Sequence, residues 1–287
     1  MIFDANFRDR VKTSLFLIAL FLVSLKFFFP YGLILIVLVA ATLTNYEIIS
    51  FVKSTPHKTK IVLLCSSLIP VYAAATNVLK RYFVDSSSYL DILVVINSNV
   101  IVCAVFALVS GMYWLIHKIE EDANVQPYAD TLLNYFLVTA YSSFLFVLMI
   151  KNISEATNMM ILWLVLVVVV NDSVAYIFGK TFGKRFFPIG FAPRLSPNKT
   201  VEGTVMGFVS AVLVGYLFLT NFANYSHVMG AILSCATALF GIFGDLIQSM
   251  IKRIYNVKNS SEILPGHGGV FDRVDAVLFA SIILYYT

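Results

Sequence analysis

Met159-Met160-Ile161-Leu162-Trp163-Leu164-Val165-Leu166-Val167-Val168-Val169-Val170-Asn171-Asp172 decides how this chain folds. It is an unbroken apolar run that ends on an amide and an ionisable carboxyl. Val165 to Val170 favour strands by propensity, yet no apolar/polar alternation of period two runs through the chain, which disfavours a membrane β-barrel. An isolated strand in lipid leaves its backbone N–H and C=O groups without partners, whereas a helix pairs them internally. The run is therefore expected to be a membrane helix. Composition extends that reading to the whole chain of 287 residues, which is 59% hydrophobic and 13% charged with a mean hydropathy of +0.86. Soluble domains carry roughly 25% charged residues, so a soluble globule and a disordered chain are both excluded.

Apolar segments fall near 14–29, 31–52, 61–79, 90–116, 131–150, 157–178, 204–222, 228–250 and 276–287. Most match the roughly 20 residues that cross hydrocarbon. The expected fold is an all-α polytopic integral membrane protein of about nine transmembrane helices with a short last helix. Arg8, Arg10 and Lys12 precede the first segment as in a signal peptide. Lys26 interrupts it, however, and Phe27-Phe28-Phe29-Pro30 offers no small-residue cleavage site, so it reads as a retained helix.

The connections also set orientation. With the N-terminus inside, sixteen Lys and Arg fall in inside segments and three, Lys80, Arg81 and Lys151, fall outside. By the positive-inside rule the N-terminus is cytoplasmic, and the polar loops 179–203 and 251–275 share the cytoplasmic face. The net charge of +4 is modest, and no nucleic-acid partner is expected. No internal repeat is visible, which disfavours inverted-repeat transporters. Cys65, Cys103 and Cys235 lie in apolar runs and read as small core residues with no disulfide or metal spacing.

The chemistry concentrates in the second half, which suggests N-terminal membrane helices over 1–156 and a catalytic membrane domain over 157–287. Glu120, Glu121, Asp122 and Asp130 look like solvated or helix-capping residues. Asp172, inside an apolar helix, is a functional-site candidate because intramembrane charge is costly. Asp245, Ser249 and Lys252 share one helix face at i, i+4 and i+7. A purely structural pairing of Asp245 with Lys252 through Ser249 is the competing reading. The run Leu264-Pro265-Gly266-His267-Gly268-Gly269-Val270-Phe271-Asp272-Arg273-Val274-Asp275 supplies glycines for close phosphate approach and carboxylates suited to Mg²⁺. Gly179-Lys180-Thr181-Phe182-Gly183-Lys184-Arg185 and Leu195-Ser196-Pro197-Asn198-Lys199-Thr200-Val201-Glu202-Gly203 interleave cations, hydroxyls and glycines. They read equally as phosphate-binding loops or as loops that fix topology. No Ser/His/Asp or Cys/His arrangement stands out. Cations, carboxylates and no activated nucleophile suit phosphoryl or nucleotidyl transfer.

Ser249 through Lys252-Arg253, Lys258, Pro265 to Gly269 and Asp272-Arg273-Val274-Asp275 resemble the signature of phosphatidate cytidylyltransferases, also called CDP-diacylglycerol synthases. Ser196 to Gly203 and the stretch from Asp172 to Lys184 are similar to that family too. The detailed likeness covers about 170–281. It implies transfer of a cytidylyl group from CTP to phosphatidic acid, giving CDP-diacylglycerol and pyrophosphate in phospholipid biosynthesis. The lipid phosphate would be the nucleophile.

The resemblance implies Asp245, Asp272, Asp275, Lys252 and His267 as the catalytic set, with Asp245 and Asp272 as Mg²⁺ ligands and a second cation left open. It implies Ser196, Lys199, Thr200, Ser249, Arg253, Gly268, Gly269 and Arg273 as substrate-binding residues, to which the intramembrane Asp172 is added. It further implies membrane-lipid contacts, a homodimer and a bacterial cytoplasmic membrane with the site facing the cytoplasm. The sequence departs from the family at Asn259 (usually Asp), Gln248 (commonly Glu), and Asn256 and Ser261 near usual glycines. The rival readings are a CTP-dependent polyprenol or phytol kinase, which would release CDP, a cation-coupled transporter using Asp172 and Asp245, and a catalytically dead scaffold.

Overall fold

The computed structural model describes residues 5–51, 57–83, 141–264 and 268–285. Among them every named element is a helix: α1 (Ala5–Phe27), α2 (Tyr31–Ser50), α3 (His57–Phe83), α4 (Phe144–Glu155), α5 (Asn158–Phe182), α6 (Val201–Phe222), α7 (His227–Ile254) and α8 (Phe271–Leu284). Two isolated bridges, Ala192 with Ser196 and Leu264 with Gly268, are the β-type pairings among the described residues. Four helices, α2, α5, α6 and α7, are long and apolar enough to cross a membrane. This, with the composition, makes the chain an integral membrane protein. The expected segment at 90–116, the start of that at 131–150, Cys103 and His267 lie outside the described residues. Cys65, expected in the core, is on the exposed face of α3, and Cys235 is half-buried. A small, weakly polar thiol suits either setting.

The chain divides into two compact units, Met1–Ser154 with Asn259–Asp272, and Glu155–Lys258 with Arg273–Thr287. In the first, α2 packs on α1 and α3. A buried polar knot on Asn45 fixes this packing. Its Nδ2 donates to Ser67 Oγ of α3 at 3.0 Å and to Ser143 Oγ at 3.3 Å, and Ser142 Oγ donates to its Oδ1 at 2.6 Å. Each partner satisfies a group that would be costly to bury alone.

In the second unit α5 lies along α6, and both pack on α7. The buried residues of α6 are Gly203, Gly207, Ala211, Gly215 and Leu219, a stripe at intervals of four. Residues four apart share one helix face, and small ones let backbones approach. A Cβ on Gly207 would sit 2.5 Å from Asn171 O, and one on Gly203 would sit 2.5 Å from Ala175 O. Trp163 Nε1, fully buried, donates to Gly215 O at 3.2 Å and locks the pair at mid-length. Gly244 does the same for α7 and α8, since a Cβ there would be 2.7 Å from both Asp275 O and Phe279 Cβ. Side-chain oxygens begin three helices: Thr157 accepts from Met160 N, Thr200 from Gly203 N and Ser226 from Met229 N.

Candidate active site

The second unit gathers much of the charged chemistry. Asp245, near the end of α7, forms an ion pair with Lys199 from the loop that precedes α6. The two motifs, 46 residues apart in sequence, therefore meet through opposite charges. Lys199 is thus one partner of Asp245.

Asp172, on α5, has Asp245, Lys199 and Arg273 as charged neighbours, and Asn171 Nδ2 donates to its Oδ1 at 3.3 Å. Asp275 is buried on α8, where its Oδ1 accepts from Ala276 N at 2.8 Å and its charged neighbours are Asp245, Asp172 and Lys252. Close contact at Gly244 brings the backbone of α8 against the turn of α7 that carries Asp245. Ser249 is buried on α7, one turn beyond Asp245.

The loop before α6 is built to deliver Lys199. Phe191 N donates to Lys199 O at 2.8 Å, Lys199 N to Ser196 O at 3.1 Å, and Ser196 N to Ala192 O at 2.8 Å. Arg253 Nε donates to Leu195 O at 3.1 Å, which ties the loop to the end of α7. Thr200 is the N-cap of α6, its Oγ1 accepting from Gly203 N at 3.1 Å. Glu202 in the first turn accepts from the backbone N–H groups of Lys184, Phe186 and Phe187 at 3.2, 2.9 and 3.0 Å. The basic loop is thereby folded onto the start of α6. In this loop the Ser196 backbone, Thr200 Oγ1 and Arg253 Nε hold the chain in place, and Lys199 is the residue that pairs with Asp245.

The remaining site residues lie in the first unit. Asp272 Oδ2 accepts from Ser260 N at 3.0 Å and Gly269 N at 3.1 Å, and it lies 3.1 Å from Ser260 Oγ, whose one proton is shared between Asp272 and Glu47. Gly268 has φ +83°, a conformation that glycine adopts without strain. A Cβ on Gly269 would strike Ser260 Oγ and fall 2.6 Å from a Glu47 oxygen. Both glycines are thus required by backbone geometry and close packing. Asn256 also has a positive φ, +54°, which Asn tolerates better than most residues and which accounts for it near a usual glycine.

Glu47 was not foreseen from sequence. It is 1% exposed on α2. Its oxygens accept from Ser260 Oγ (2.7 Å), Ser261 Oγ (2.6 Å), Val270 N (2.9 Å) and Phe271 N (2.9 Å). The signal that could have found it is an ionisable residue within an apolar span, the same signal that marked Asp172.

Among the described residues, no three or more His, Cys, Asp and Glu side chains form a ready-made cage for a metal ion. Mg²⁺ does not demand one, since it is commonly held by one or two carboxylates plus substrate phosphates and water. The donors present are hard oxygens. Asn171 Oδ1 is buried beside Asp172 without a hydrogen-bond partner, and Asp245 already engages a cationic group. The donor chemistry therefore fits a hard divalent cation.

The sequence profile of the cytidylyltransferase family matches residues 8–287. The chain is similar to a phosphatidate cytidylyltransferase of Helicobacter pylori, 42% identical over 125 residues, or 44% of this chain and 45% of that protein. A phosphatidate cytidylyltransferase of Bacillus subtilis is 38% identical over 138 residues, 48% of this chain and 50% of that one. One of Haemophilus influenzae is 39% identical over 127 residues, 42% of each chain. The matches span about half the length of these curated relatives. The match across residues 8–287, together with these relatives, places the chain in the cytidylyltransferase family.

Proposed function

We propose that the protein transfers a cytidylyl group from CTP to phosphatidic acid, giving CDP-diacylglycerol and pyrophosphate for phospholipid synthesis. The observation that carries this reading is the meeting of Lys199 with Asp245, among Asp172, Asp275, Lys252 and Arg273, in a chain of this family. Mixed cations and carboxylates at a span's end suit two anionic reactants, one from water and one from the bilayer.

A phosphatidate oxygen attacks the α-phosphorus of CTP in line, and the bond to the pyrophosphate oxygen breaks. No protein nucleophile is needed. Lys199, Lys252 and Arg273 bind phosphate oxygens and offset charge growing on the leaving pyrophosphate. Asp245 and Asp272, assigned from the motif, would hold Mg²⁺, with Asp275 beside them in the motif. When bound, Mg²⁺ supplies charge neutralisation and a template for the phosphates. Gly268 and Gly269 are assigned to phosphate binding from the motif, and His267 would donate a hydrogen bond to phosphate. Ser196, Thr200, Ser249 and Arg253 support these contacts, and Asp172 holds the cations in register.

The same reading places the 1–156 helices as scaffold or dimer contact and 157–287 as the catalytic membrane domain. It includes about nine transmembrane helices with the N-terminus inside, a homodimer, and a site facing the cytoplasm from a bacterial inner membrane.

The test is purified protein with phosphatidic acid, Mg²⁺ and CTP labelled at either the α- or the γ-phosphate. Transfer of α-label to lipid with γ-label released as pyrophosphate is expected. Transfer of γ-label to lipid with release of CDP would establish a lipid kinase instead, and label in neither lipid product would overturn the reading.

A further inference from the structure

Helix α8 begins in an unusual way. Gly268, Gly269 and Val270 precede Phe271, and none carries a side-chain oxygen that could cap the helix. The first N–H groups of a helix need acceptors, and buried ones left unpaired are costly. Here the acceptors come from another helix. Glu47 Oε1 takes Val270 N and Ser261 Oγ, and Oε2 takes Phe271 N and Ser260 Oγ. Each carboxylate oxygen thus receives one backbone and one hydroxyl donor. An anion at a helix N-terminus is also favoured by the helix dipole.

The network continues from Glu47 to the signature carboxylate. Ser260 Oγ lies 2.7 Å from Glu47 Oε2 and 3.1 Å from Asp272 Oδ2, and Ser260 N donates to the same Asp272 oxygen. Gly269, packed against Glu47 and Ser260, also donates its N–H to Asp272. We propose that Glu47 is a positioning residue that acts through Ser260 and the first N–H groups of α8 to set the direction of the Asp272 carboxylate. The residue from the N-terminal half of the chain is thereby part of the apparatus for turnover, although it need touch neither substrate nor metal. The functional part of this inference rests on the proposed cytidylyl transfer.

The chemistry predicts which substitutions fail. Gln at 47 keeps one acceptor oxygen but turns an NH₂ toward a backbone N–H that cannot become an acceptor. Ser260→Ala removes the hydroxyl that reaches both carboxylates, whereas Ser261→Ala removes a bond to Glu47 alone.

The test uses full-length protein in detergent and two readouts. In hydrogen–deuterium exchange, Glu47→Gln should raise exchange in the peptide covering 268–275 at least about tenfold, as loss of charged hydrogen bonds implies, while peptides of α5 and α6 stay at wild-type rates. In turnover with CTP and phosphatidic acid, Glu47→Gln should lower kcat about tenfold or more with KM for CTP within about twofold. Ser260→Ala should lower kcat more than Ser261→Ala. Wild-type exchange at 268–275 in Glu47→Gln would overturn the inference. So would exchange raised throughout both units, which marks general loosening, or equal kcat losses for the two serine variants. An inactive wild-type protein with the localised exchange change would instead overturn the proposed reaction and leave the structural linkage standing.

Discussion

Lys199 and Asp245 are 26% and 28% exposed, so water still reaches their ion pair. Partly solvated pairs contribute little to stability, because solvent and salt screen the attraction. Under the proposed transfer, incoming phosphates would therefore compete for the lysine without unfolding the protein. Lys199→Met should reduce turnover about a hundredfold, the scale of one lost electrostatic contact to developing charge, and change stability by less than about 1 kcal/mol. Initial rates and thermal unfolding of the purified variant check this, and a stability loss large enough to explain the inactivity would contradict it. At this scale the sequence was readable where one residue announced itself. Asp172 and Asp245 stood out as charges in apolar helices. Glu47 obeys the same rule but reads alone as the polar end of a span, since its partner Ser260 lies 213 residues away.

Helix boundaries tell a similar story at the scale of elements. The segment expected at 228–250 is α7, His227–Ile254, and that at 157–178 is α5, Asn158–Phe182. Apolar runs find such helices but understate their polar ends. The last segment, expected from 276, begins at Phe271. Its polar first turn was invisible to hydropathy, and its capping acceptor lies on α2. The small-residue stripe of α6 was present in sequence at 203, 207, 211 and 215, but its meaning appears only when α5 lies on it. Gly207→Val should destabilise the protein by about 1–3 kcal/mol, because the new Cβ would meet Asn171 O and Ala175 Cβ. Gly241→Ala should be neutral or stabilising, because its Cβ would meet only Val168 Cγ2 at an ordinary 3.7 Å and Ala favours helix by about 1 kcal/mol. Unfolding midpoints in detergent compare the two, and equal losses would contradict the close-packing account.

For the whole molecule, composition was enough to fix the class. A chain 59% hydrophobic with 13% charge has to place its helices in lipid, and α2, α5, α6 and α7 are long and apolar enough to cross it. The grouping of Asn259–Asp272 with Met1–Ser154 was hidden from any linear reading, since the hydrogen bonds to Glu47 link residues over two hundred positions apart. The candidate charged residues of the C-terminal motifs were readable in order along the chain, while the contact between Lys199 and Asp245 needed the fold. The most direct test of the account is an anomalous difference map from crystals grown with Mn²⁺ and a non-hydrolysable CTP analogue. A manganese peak bound by the carboxylates of Asp245 and Asp272 and by nucleotide phosphate oxygens is expected. Bound nucleotide with both carboxylates turned away and no metal peak between them would contradict it.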